Sequence, residues 1–147
     1  MYYSDLVKKA CGILYDAHKD DMDKGGYPYV FHSFYLATQM ENEASACTAL
    51  LHDVIEDHGD KYSFAYLAQA GFPGAVIHAL RLLTHAEGVP YMDYGELAKD
   101  PIARKVKLAD HKHNLDARRL NGVRPEKYDL YMQAIHYLEE TKQEREP

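Results

Sequence analysis

One run constrains the fold more than any other: Leu50-Leu51-His52-Asp53-Val54-Ile55-Glu56-Asp57. Apolar residues there enclose four ionisable ones. The periodicity predicts a helix over residues 43–57, with Ala46, Cys47, Leu50, Leu51, Val54 and Ile55 covering most of its circumference. A helix apolar nearly all round has to sit in the middle of a fold. His52 and Glu56 are four residues apart, as are Asp53 and Asp57, so the two pairs project from neighbouring strips. Burying such groups without partners costs several kcal/mol. A divalent metal is a natural partner, since neutral imidazole and ionised carboxylate both ligate one. A solvated polar face is the alternative reading, but this helix has little surface left to solvate.

The rest of the chain is also helical in pattern, with little strand-like alternation. Ser4 caps a first helix with Leu6, Ala10, Ile13, Leu14 and Ala17 on one face. Residues 20–28 are polar, contain Gly25-Gly26 and form a loop. A second helix starts near His32, and a fourth runs from a Ser63 cap to Ala70, ended by Gly71. Pro73 opens a fifth, and Gly88-Val89-Pro90 breaks the chain before a short segment from Tyr91 to Lys99. Asp100-Pro101, a cap and a first-turn proline, opens a long helix to about Leu120 that ends at Asn121-Gly122. Pro125 opens a last helix, with Tyr128, Tyr131, Ile135 and Leu138 inward and a fraying polar tail from about Thr141. The expected architecture is all-α: one compact bundle of about seven or eight helices over residues 1–147.

Composition narrows the function. The 147 residues carry a net charge of −6, so no global basic footprint marks a nucleic-acid partner. No apolar run approaches the roughly 20 residues that span a bilayer, so no membrane partner is expected. The N-terminus lacks the basic and apolar regions of a secretory signal, and a cytoplasmic protein is expected. Nine histidines stand against two cysteines, Cys11 and Cys47, which form no C-x-x-C pair and read as buried free thiols. Any metal must therefore be held by histidine and carboxylate.

Two further segments carry candidate chemistry. In Val106-Lys107-Leu108-Ala109-Asp110-His111-Lys112-His113-Asn114-Leu115, spacing by four puts Asp110, Asn114 and Arg118 on one helical stripe. A charged, solvated face is the alternative. In Gly26-Tyr27-Pro28-Tyr29-Val30-Phe31-His32, a rigid aromatic turn delivers a histidine to a helix start. His18 reads as structural, near the end of the first helix. His58, His85, His111 and His113 read as solvated or pocket-rim, and His78 and His136 as packing or surface residues.

A distant His, an adjacent His-Asp followed by Glu-Asp, and a distant Asp, in that order and on helices, resemble the HD-domain metal-dependent phosphohydrolases. The chain is most similar to the alarmone (ppGpp) hydrolase domain of RelA/SpoT-type enzymes and to the short stand-alone alarmone hydrolases. The resemblance runs from about Leu6 to Leu120. It implies one divalent ion, Mn²⁺, held by His32, His52, Asp53 and Asp110. It implies that Glu56 and Asp57 are the acidic pair near the attacking water, and that Lys24 and Asn114 contact a small-molecule nucleotide. Lys107 and Arg118 are added as substrate-binding residues from charge and spacing alone. The implied reaction removes the 3′-pyrophosphate of guanosine tetra- or pentaphosphate to give GDP or GTP.

Asp23 stands where the long alarmone enzymes carry a loop arginine that supports the guanine ring. An aspartate supplies neither a stacking plane nor a cation. That keeps open an HD phosphohydrolase acting on another nucleotide or phosphate ester, and, with less support, a non-catalytic nucleotide-binding relative. A chain of 147 residues is expected to hold the hydrolase head without a synthetase domain. The tyrosine-rich last helix offers a surface for a homo-oligomer.

Overall fold

The structure is a computed structural model that describes residues 1–84, 95–116, 118–119 and 125–145, with side chains described to residue 140. Expectations for His85, the Gly88-Val89-Pro90 break, the start of the segment at Tyr91, Leu120 and Asn121-Gly122 lie outside the described residues. The described chain forms eight α-helices: α1 (Asp5–His18), α2 (Val30–Thr38), α3 (Glu43–Leu51), α4 (Val54–His58), α5 (Phe64–Gln69), α6 (Gly74–Leu83), α7 (Pro101–Asn114) and α8 (Tyr128–Arg145). A 3-10 turn, Leu97–Lys99, precedes α7. The only extended pairing among the described residues is one antiparallel bridge, Met22 to Pro28. No described helix is long and apolar enough to cross a membrane.

The start signals work as expected at two helices. The Ser4 hydroxyl accepts from the Val7 N–H, and Ser63 from the Tyr66 N–H. Asn42 caps α3 in the same way, through Ser45 N–H. Asp100 precedes α7 without making a side-chain cap, so there the first-turn proline marks the start alone. Gly71, at φ +105°, turns the chain out of α5 in a conformation glycine adopts without strain.

Helix α3 is the hub. Its residues from Ser45 to Leu51 are all buried, and it packs on α1, α2, α6 and α7. Small residues Ala46 and Ala49 let neighbours approach, while Leu50 and Leu51 fill the space between them. Helix α8 joins the core through Ala134, Ile135 and Leu138, and packs on α7. Tyr128 and Tyr131, expected inward, are partly buried, and the backbone stays helical to Arg145 where a frayed tail was expected.

Two expected helices are shorter in the structure. The helix predicted over 43–57 breaks at His52-Asp53 into α3 and α4. The His52 Nδ1–H donates to the Ala49 carbonyl at 2.7 Å, taking an acceptor that a continuing helix would offer to the Asp53 N–H. The helix predicted to about Leu120 ends at Asn114. There Asp116 accepts from the Arg118 backbone N–H at 2.9 Å, a local turn that competes with the helix.

Truncating the hub should be costly. Leu51→Ala is expected to destabilise the fold by ~2–5 kcal/mol in urea denaturation. A change well below that range would contradict the central placement of α3.

Candidate metal centre and nucleotide cavity

The break between α3 and α4 builds the site. In one straight helix His52 and Asp53 would point about 100° apart. With the helix broken, His52 Nε2 lies 3.1 Å from Asp53 Oδ2. Helix α2 brings His32, and α7 brings Asp110, whose Oδ1 is 2.8 Å from His32 Nε2 and 3.7 Å from His52 Nε2. Ligand atoms of His32, His52 and Asp53 all lie within 4.8 Å of one another. His32, His52 and Asp110 are buried and Asp53 is partly exposed, so the cluster opens on one side. The four residues expected to hold a metal are therefore brought together.

Proton positions test whether the cluster suits a cation. His52 donates through Nδ1 to the Ala49 carbonyl, so the neutral ring presents the Nε2 lone pair. That atom is buried, has no hydrogen-bond partner, and faces two carboxylates. A lone pair aimed at two anions needs a positive charge between them, either a proton or a metal ion. Burial disfavours a charged His52, but Asp53 and Asp110 outweigh it and hold its pKa well above the ordinary histidine value. Burial likewise raises Asp53, and His52 beside it prevails, bringing its carboxyl to about 2. Asp110 is held well below the usual carboxylate range against burial, by Lys107, His32 and His52. The donor set of two imidazoles and two carboxylates fits a divalent ion.

Supporting residues aim the ligands. The Tyr29 hydroxyl donates to Asp53. His32 Nδ1 sits 2.7 Å from His113 Nδ1, and His113 stacks on Tyr35. Burial, with His32 and Arg119 nearby, pushes the His113 pKa down to about 4, so its ring is neutral at pH 7. With His32 Nε2 turned to a cation, its proton sits on Nδ1 and donates to His113. His113 is thus more than a rim residue, and fully buried His111 packs on Tyr131 instead of meeting solvent. His78 is exposed, and exposed His136 pairs with Glu140 at 2.9 Å, as surface residues do.

Glu56 and Asp57 are exposed on α4, just beyond Asp53. Asp57 is the distinctive member. Partial desolvation beside the cluster raises its pKa, Asp53 and Glu56 raise it further, and it reaches about 6. That value suits proton transfer near neutrality.

A cavity of about 230 Å³ is lined by residues including Met22, Lys24, Tyr29, Asn114, Arg119 and Tyr131. Lys24 and Asn114, the residues expected to contact a nucleotide, both line it. Lys107 faces Asp110 instead, at 3.4 Å. Arg118 does not join the stripe, because α7 ends before it; its side chain is 89% exposed and its guanidinium pairs with Asp116 at 2.8 Å. Arg119, which sequence spacing did not single out, enters in its place. Its guanidinium donates to Asn114 Oδ1 and pairs with Asp23 at 3.5 Å, with Arg119 only 13% and Asp23 only 5% exposed.

Asp23 also accepts from the Gly25 and Tyr27 N–H groups, each at 2.9 Å, so it both shapes the loop and holds Arg119. The loop that lacks an arginine thus receives one from beyond α7. Only an acidic residue in the loop and a nearby arginine pair hinted at this in the sequence.

No protein-family model matches the chain. It is similar to a probable GTP pyrophosphokinase of Mycobacterium leprae, 27% identical over 136 residues, covering 83% of this chain. The chain spans 17% of that relative's length. It is also similar to the solved structure of a metazoan ortholog of SpoT, described as hydrolysing ppGpp and playing a role in starvation responses. That likeness has a TM-score of 0.74 at 23% identity, over 96% of this chain and 87% of that one. The two share the all-helical fold.

Removing the His113 ring should loosen the centre without touching a ligand. His113→Ala is expected to weaken divalent-ion affinity by ~10–100-fold in calorimetric titration, as residues that orient metal-ligating histidines do. Unchanged affinity would show that His113 does not aim His32.

Proposed function

We propose that the chain is a metal-dependent nucleotide pyrophosphohydrolase of the HD type, acting as one hydrolase domain in the cytoplasm. Its substrate is guanosine tetra- or pentaphosphate. The observation that carries the reading is His52 Nε2, a buried nitrogen without a hydrogen-bond partner that faces Asp53 and Asp110. His32, His52, Asp53 and Asp110 would hold the ion, with Mn²⁺ the ion the resemblance implies. When bound, the ion supplies Lewis acidity that activates water and withdraws charge from the phosphoryl group.

The chain's own residues do the rest. Lys24 and Arg119 face the cavity and offset the charge of the polyphosphate. Asn114 and Asp23 fix the guanidinium of Arg119, so it meets the substrate already oriented. Asp57 accepts a proton on its carboxylate as water attacks phosphorus, and Glu56 helps to position that water. The phosphorus–oxygen bond to the 3′ oxygen breaks, pyrophosphate leaves, and the proton taken up by Asp57 is returned through solvent to the 3′ oxygen as a hydroxyl.

A second reading rests on Asp23. Arg119 supplies the cation from a different place from a loop arginine, and its reach then selects a different nucleotide base or phosphate ester. A substrate panel with Mn²⁺ separates the two. Release of pyrophosphate from guanosine tetraphosphate supports the first, and activity only on other phosphate esters supports the second. No turnover of any substrate by metal-loaded protein would overturn both.

Two variants probe the assigned roles. The wild-type kcat/KM should rise with pH as the Asp57 carboxyl ionises near pH 6. Asp57→Asn should remove that rise and lower the rate by ~10²-fold or more while sparing metal binding. A pH profile unchanged in Asp57→Asn would remove its role as base. Arg119→Ala should raise KM more than it lowers kcat, and an unchanged KM would take Arg119 out of the substrate cavity.

A further inference from the structure

His18 was expected to be structural and His58 solvated or pocket-rim, and Asp21 lay unassigned in the polar loop. The structure brings them together. His18 ends α1, Asp21 lies in the following loop, and His58 ends α4. Both imidazoles point at one oxygen: His18 Nδ1 is 2.8 Å from Asp21 Oδ2, and His58 Nε2 is 2.7 Å from it. The two rings meet edge to face, with centroids 4.7 Å apart and planes at 89°, so the two nitrogens approach the carboxylate from different directions. Three ligand atoms within 4.8 Å of one another repeat the grouping of His32, His52 and Asp53.

The backbone holds this arrangement in advance. The Asp21 N–H donates to the His18 carbonyl, and the Tyr29 N–H donates to the Asp21 carbonyl, each at 2.9 Å. His18 is buried, whereas the Asp21 and His58 side chains are 39% and 30% exposed. An ion there has a fixed inner side and room for solvent on the outer one. Each imidazole nitrogen that faces Asp21 Oδ2 would give up its proton to take an ion. Negative charge is concentrated nearby, since Asp57 lies in the field of Asp53, Glu56 and Asp21 together. A cation would offset that crowding.

Tyr29 stands between the two groups. Its ring packs on His18 with centroids 4.5 Å apart, while its hydroxyl donates to Asp53. The two clusters therefore lie on either side of one aromatic side chain and share no ligand.

We propose that His18 Nδ1, Asp21 Oδ2 and His58 Nε2 form a second divalent metal site, separate from the His32–His52–Asp53–Asp110 centre. Two imidazoles and one carboxylate select a borderline ion of the zinc or cobalt class over Mg²⁺ or Ca²⁺, which prefer all-oxygen sites. Such an ion ties the end of α1 to the end of α4, beside the acidic pair.

The test is a metal count on the full chain. Metal-free protein is dialysed against excess Co²⁺ and then against metal-free buffer. Bound metal is counted by mass spectrometry, and the cobalt ligand-field absorption is recorded. Wild type is expected to hold two equivalents. His58→Ala and Asp21→Asn should each hold one and lose part of the cobalt spectrum. Asp53→Asn should also hold one, with the spectral component that depends on Asp21 intact. His58 and Asp21 are both partly exposed, so two independent variants report on the site if one fails to fold. One equivalent in wild type, lost in Asp53→Asn, would overturn the proposal. So would two equivalents retained in both His58→Ala and Asp21→Asn, with the triad then a hydrogen-bonded cluster. Because Asp53→Asn reports on the first centre and Asp21→Asn on the second, failure of one reading leaves the other standing.

Discussion

The fold is organised around one uncomfortable imidazole. His52 donates a hydrogen bond from Nδ1 to the Ala49 carbonyl and turns its buried Nε2 toward two carboxylates. Without a positive charge between these groups, burial and repulsion act in the same direction, at a cost of several kcal/mol. The same hydrogen bond breaks the central helix, and the break swings Asp53 into line with His52. Anchoring the imidazole, ending α3 and assembling the cluster are thus one event in the chain. The surrounding helices contribute by supplying the remaining ligands from α2 and α7.

Around that centre the chain distributes charge unevenly. Carboxylates dominate the α4 side, where Asp53, Glu56, Asp57 and Asp21 lie in one another's field. Cationic side chains gather elsewhere, where Lys24, Arg119 and Lys127 border one cavity. A chain of net charge −6 can in this way present a local face suited to a polyanion. Asp23 belongs to the cationic side despite its charge. It is spent on holding Arg119, so the pair delivers a fixed guanidinium to the cavity wall.

Much of this was legible in the sequence where the signal is local. Caps at Ser4 and Ser63, the glycine stop at Gly71 and the apolar faces of α1 and α6 follow from neighbouring residues. The His32, His52, Asp53 and Asp110 set came from the family resemblance, which three short motifs in order carry. The break at His52-Asp53 was not legible, since apolar periodicity continues straight through it and the cause is a side-chain bond to the backbone. Arg118 was singled out in place of Arg119 because spacing by four assumes a helix that in fact stops at Asn114. The His18, Asp21 and His58 group spans α1, a loop and α4, and no spacing rule joins residues across separate elements.

The most direct test of this account is the protonation of the His52 ring, read by ¹⁵N NMR of both nitrogens at pH 7 with and without a divalent ion. In metal-free protein both nitrogens should carry protons, because the flanking carboxylates hold the ring pKa well above its ordinary value. On loading with Zn²⁺, Nδ1 should keep its proton and Nε2 should lose its own and shift to a metal-bound value. A ring that is neutral without metal, with an Nε2 signal unmoved by the ion, would contradict the central claim.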